Sequence, residues 1–165
     1  MLHTSRALIV VATVVIAAAA VAVGSPTSAS AAERPVMRAA TPAPPVNKYG
    51  EVCAACHQLD GTGLEGVFPP LAGAEHVNGP AIVPIAIVLH GLQGEITVKG
   101  KQYNGAMMAW GNVLNDDDLA ATLTYIRSQW GNRAAPVTAA QVRAVRARLA
   151  SRTTPFTAAE LRTLK

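Results

Sequence analysis

The sequence predicts an all-α domain of short helices separated by long, glycine-rich loops. Three observations carry that prediction. Leu119, Leu123, Ile126 and Trp130 recur at intervals of four, three and four residues, which is one apolar helix face. Thr138 to Gln141 and Thr157 to Glu160 each fit a helix capping box. Gly61, Gly63 and Gly66 punctuate a loop near the middle of the chain. The 165 residues suffice for one domain with tails. They are 50% apolar, 4% aromatic and 15% charged, with two cysteines. That composition excludes a large multidomain enzyme and a disulfide-dense scaffold, and argues against a wholly disordered chain.

Residues 1–31 read as an export signal. His3 and Arg6 form a short, weakly basic head, and Ala7 to Gly24 is an uncharged run of Ala, Val and Ile. Ala29-Ser30-Ala31 then fits a peptidase site. The alternative is an uncleaved membrane anchor, because eighteen helical residues span about 27 Å. Cleavage after Ala31 removes Arg6 and no acid, so the net charge falls from +4 to +3. That excess suits docking to an acidic protein. No dense basic stripe or zinc-finger spacing accompanies it, so nucleic acid is not an expected partner. Residues 32–45, with Pro35, Pro42, Pro44 and Pro45, read as a linker.

A short helix from Val46 to Cys53 leads into Cys53-Ala54-Ala55-Cys56-His57, the attachment signature of a c-type haem. Two thiols one helical turn apart can add to the two vinyl groups of one porphyrin. The adjacent histidine then offers an imidazole to the iron. A structural disulfide and a thioredoxin-like pair share the spacing. The latter requires a preceding strand, which the pattern lacks. A zinc site requires a second ligand pair, which the chain does not supply. Phe68-Pro69-Pro70-Leu71 follows the glycine loop and is held extended. A carbonyl there can accept the Nδ1 proton of His57 and fix its tautomer.

Ile82 to Leu89 is an apolar segment broken by Pro84, and His90 reads as the end of a short helix. Met107 and Met108 stand about fifty residues after His57, in Tyr103-Asn104-Gly105-Ala106-Met107-Met108-Ala109-Trp110-Gly111. Glycine and asparagine on either side predict a loop, able to present a thioether to the far face of the haem. Spacing alone does not choose between the two methionines. It also leaves them as packing residues, with His76 or His90 as the second ligand. Asn115 to Asp118 opens the clearest helix, which stops at Gly131-Asn132 and packs across the first. Residues 133–165 form a helical extension made basic by Arg143, Arg146, Arg148 and Arg152. It reads either as a solvated appendage or as a docking surface for a redox partner.

These motifs together resemble the class I monohaem cytochromes c, in their bacterial periplasmic branch. The resemblance runs from Lys48 to Asn132. Cys53 to His57 matches the attachment motif, and Phe68 to Gly73 matches the support of the proximal histidine. Val88 to Gly91, Val98 to Gly100 and Tyr103 to Gly105 match the distal wrap. Leu119 to Arg127, ending in Trp130 to Asn132, matches the closing helix. The resemblance implies a fold wrapped around one covalent haem c in residues 46–132. It implies iron held by His57 and Met107, with Pro69, Pro70, Tyr103 and Asn104 around the cofactor. In that family a proline commonly follows the ligating methionine, where this chain has Met108. The function implied is one-electron transfer between redox partner proteins, without bond chemistry on a substrate. A haem subunit of a dehydrogenase or oxidase complex is the alternative. A peroxidase or gas-binding protein would instead need an open distal site.

Overall fold

The computed structural model describes residues 47–164. Residues 1–46, which hold the whole of the expected export signal and linker, and Lys165 lie outside them. Six α-helices and one hairpin follow in order among the described residues. A π-helical turn, Tyr49–Cys53, runs directly into α1, Ala54–His57. The expected first helix is thus present from Tyr49, but wound wide in its first turn. Helix α2 is Glu75–Asn78 and α3 is Ile82–His90. Pro84 does not break α3. It occupies the first turn, where its missing N–H would have had no helical partner.

The distal region differs from its prediction. Leu92–Val98 forms strand β1 and Lys101–Met107 forms β2, paired antiparallel from Leu92↔Met107 to Val98↔Lys101. Met107 therefore ends a strand and does not ride on a free loop. The turn is Lys99-Gly100, at φ +51° and +75°. Positive φ at both central residues marks a type I′ turn, whose twist suits a two-residue hairpin. The domain is otherwise helical.

Helix α4, Asp116–Ser128, is capped by the Asn115 side chain, which accepts from the Asp118 backbone amide at 2.8 Å. It buries Leu119, Leu123 and Ile126, and the chain reverses at Trp130 and Gly131, both with positive φ. Tyr49 joins the first turn to α4. Its ring lies 5.6 Å from that of Tyr125 and 4.9 Å from that of Trp130. The Lys48 amide also donates to the buried Thr122 hydroxyl, at 2.9 Å.

Helices α5, Ala139–Arg148, and α6, Ala158–Leu161, both open on complete capping boxes, at Thr138/Gln141 and Thr157/Glu160. Helix α5 packs on α3 and α4, and α6 on β1. Val142 and Phe156 are buried at these contacts. Each contributes about 1.5–3 kcal/mol by area. The exposed Arg143–Asp116 pair, at 3.6 Å, contributes at most about 1 kcal/mol. Apolar burial therefore outweighs that pair in seating the extension. No helix among the described residues is long and apolar enough to cross a membrane.

Candidate functional site: the crevice between the attachment motif and the hairpin

An apolar crevice of about 660 Å³, measured to its open mouth, lies between α1, α3, α4 and the hairpin. Cys53 and His57 stand on its wall with Pro69 and Pro70, and Met107 stands on it from the end of β2. Ile96 and Val98 of β1 and Leu123 and Ile126 of α4 complete the apolar surface.

Local structure sets the orientation of His57. The residue ends α1, where Gln58 at φ +61° turns the chain away. Its Nδ1 lies 2.9 Å from the Pro69 carbonyl, which leaves Nε2 as the nitrogen for a metal. Burial pushes the imidazole below its ordinary pKa, against the opposing effect of the Pro69 carbonyl. Burial thus favours the neutral ring, whose Nε2 is the nitrogen it has to offer. Tyr49 fixes the other side of α1, donating from its hydroxyl to the Gln58 carbonyl. Burial raises the pKa of that phenol, so it stays a donor.

Cys53 and Cys56 are free thiols, the first half-buried and the second exposed. Burial, and then the neighbouring Cys56, push the Cys53 thiol up to about 11. Two unpaired thiols beside a histidine that faces an apolar slot are a donor set for a porphyrin with two vinyl groups. Residues 48–130 match the family model of cytochrome c. The chain belongs to the cytochrome c family.

This cytochrome is 42% identical over 102 residues to cytochrome c-552 of Thermus thermophilus, covering 55% of this chain and 76% of that one. It is 36% identical over 99 residues to the gluconate 2-dehydrogenase cytochrome c subunit of Pantoea cypripedii, covering 57% of this chain and 22% of that one. It is 34% identical over 103 residues to the cytochrome c subunit of a quinone alcohol dehydrogenase from Gluconacetobacter polyoxogenes, covering 60% and 21%. The cytochrome is thus an electron-transfer protein with one covalent haem c, whose binding motif is Cys53, Cys56 and His57.

The crevice fits that group. It is lined by apolar side chains where a flat macrocycle must be dry, and it keeps one imidazole nitrogen available. His76 also stands on the wall, and its buried Nδ1 has no protein partner. The other residues singled out from sequence fall in different places. Met108 is 67% exposed. Tyr103 is buried, opposite Ile96, but lines a different hollow with Lys99 and Lys101. Asn104 is exposed and paired with Glu95. His90 is turned to the edge of the Phe156 ring, 6.0 Å away, and is not on the crevice wall. Of the arginines that make the extension basic, Arg146 and Arg152 are internal ties. Arg146 binds Gly111 and Leu114, and Arg152 binds Glu160 and covers Phe156.

Sequence reasoning missed Tyr49, Asn132 and the wall from β1. Alternation at Ile96 and Val98 was a signal for the last. Asn132 carried no local signal beyond a helix stop.

Proposed function

We propose that the cytochrome is a single-electron carrier whose iron is held in a closed site by His57 and Met107. The observation that supports this most directly is that both side chains line one apolar crevice, from opposite parts of the fold. When bound, the haem supplies a one-electron ferric/ferrous couple. The protein's own contribution is to hold and shield it. His57 is oriented by the Pro69 carbonyl, and the apolar wall excludes water. The soft Met107 thioether favours the reduced state and raises the potential. Met108 is the weaker candidate because its side chain faces solvent.

Met107→Ala should abolish the long-wavelength thioether–iron absorption band of the oxidised protein, and Met108→Ala should leave it intact. Loss of the band in the Met108 variant alone would overturn the assignment. Ready carbon monoxide binding by the reduced parent would overturn the closed site.

The carrier is proposed to work outside the cytoplasm, exported by residues 1–31 and linked by residues 32–45, with other redox proteins as partners. A free carrier is favoured over a fixed subunit by the higher identity to cytochrome c-552, 42% against 36% and 34% for the dehydrogenase subunits. Elution of the native protein at its monomer size from a cell extract would support the free carrier; co-elution with a dehydrogenase would support the subunit.

A further inference from the structure

We propose that the C-terminal extension is a clamp that positions Met107. The proposal rests on Met107 being the ligand, and assigns that ligand its support. Both flanks of the methionine are tied to the extension. On the near side, Met107 pairs with Leu92, and Leu92 also forms a parallel bridge with Phe156. The Phe156 amide donates to the Gly91 carbonyl at 3.0 Å, and the Phe156 carbonyl accepts from the Gln93 amide at 2.8 Å. Phe156 thus acts as a third rung on the free edge of β1. Gly91 lies directly under Met107, since a Cβ there would stand 2.5 Å from the Met107 carbonyl oxygen. No larger residue fits that contact, so the position of Gly91 bears on the ligand directly.

On the far side, Arg146 of α5 donates to the Gly111 carbonyl at 2.6 Å and to the Leu114 carbonyl at 2.9 Å. Its Nε is anchored on Asp116 at 2.8 Å. Between these two ties, only Met108 to Trp110 bridge the ligand to the turn that Arg146 holds. The Trp110 amide is bound to the Val88 carbonyl at 2.8 Å. Phe156 is itself kept in place by the Arg152 guanidinium, 3.7 Å above its ring, and by the His90 edge. A proline after the ligand would stiffen this segment locally. The chain has Met108 there, and the stiffness comes from Arg146 and Phe156, about 40 to 50 positions further on in sequence.

A clamp differs from a general stabiliser in what it loses first. If the extension holds the ligand, weakening it populates an open site while the helices remain folded. An external ligand then binds in proportion to the open fraction. The test uses the full-length holoprotein with Arg146→Met, Phe156→Ala and Arg143→Met. Arg143 shares Asp116 with Arg146 and touches none of the carbonyls after Met107, so it serves as the control. The oxidised long-wavelength band and the far-UV helical signal are followed through a denaturant titration. Carbon monoxide affinity is measured on the reduced protein.

Arg146→Met and Phe156→Ala should lose the band well before the helical signal. They should bind carbon monoxide roughly tenfold more tightly than the parent. Arg143→Met should match the parent. Should Phe156→Ala fail to fold, Phe156→Leu keeps most of the apolar volume and Arg146→Met decides alone. If band and helices are lost together in both variants, and carbon monoxide affinity equals the parent's, the extension is only a stabiliser and the clamp is overturned. Retention of the band in Met107→Ala would overturn the ligand assignment instead, so the two failures are separable.

Discussion

Asn132 shows what a single side chain holds together outside the crevice. It is 3% exposed, and its amide is fully used. The Nδ2 group donates to the Leu71 carbonyl at 3.1 Å and to the Ile126 carbonyl at 2.8 Å. The Oδ1 atom accepts from the Gly73 amide and from Asn78, each at 2.8 Å. The end of α4 is thereby tied to the segment after Pro70, which supports His57. Asn132→Ala leaves several groups without partners away from bulk water. It should cost about 2–3 kcal/mol, because an unsatisfied buried polar group costs more than a hydrogen bond contributes. For a domain of this size the melting temperature of the oxidised holoprotein should fall by roughly 10 °C. A fall of only a degree or two would show that water replaces the amide. At this scale, legibility depended on where the partner sits. Cys53, Cys56 and His57 were readable because one chemistry occupies five consecutive residues. Asn132 was not, since its partners at 71, 73 and 78 meet it only after the chain has folded.

Among the elements, the helices were legible and the hairpin was not, for a physical reason. Helix α4 and both capping boxes are local: an apolar stripe, or a Thr with Gln or Glu three residues on, is complete within one turn or two. The hairpin is a pairing, and its second strand carries Asn104 and Gly105, which read as loop residues. Only Tyr103 of that strand is fully buried, so no alternating stripe announced it. The turn did leave a trace in Lys99-Gly100. Lys99 is one of three non-glycine residues at positive φ among those described. Lys99→Asn places a residue that tolerates the left-handed region into the first position of a type I′ turn. The backbone amide stays free to bind the Glu75 carboxylate, now at 3.0 Å. The variant should gain roughly 0.5 kcal/mol, whereas Gly100→Val should lose about 1–3 kcal/mol by strain at φ +75°. Chemical denaturation of the holoproteins checks both. An unchanged midpoint in Gly100→Val would mean that the turn adopts another type at no cost.

For the whole molecule, the crevice divides the core into two parts with different dependence on the cofactor. The hairpin and α2 bury their apolar side chains largely toward the crevice, through Ile96, Val98 and Val77. Without a macrocycle between them and α4, these residues face a space that the chain does not fill. The other part does not rely on that space. Val142 and Val145 of α5 are buried as α5 packs on α3 and α4. The Arg127 guanidinium binds the Ala135 carbonyl at 2.8 Å. The Thr124 hydroxyl accepts from the Val137 amide and donates to its carbonyl, at 3.0 and 3.1 Å. A Cys53→Ser/Cys56→Ser variant, produced without covalent haem, should therefore loosen unevenly rather than unfold as a unit. Much of the far-UV helical signal should remain, the near-UV signal should fall, and a hydrophobic dye should bind, as in a partly packed state. Hydrogen exchange should keep protection in the α4–α5 pairing and lose it in β1, β2 and α2. Equal protection in hairpin and helix pair would mean that the hairpin closes onto α4 unaided. Equal loss in both would mean that the haem holds the entire core. The uneven outcome is expected because the fold carries two sets of contacts, and only one of them runs through the crevice.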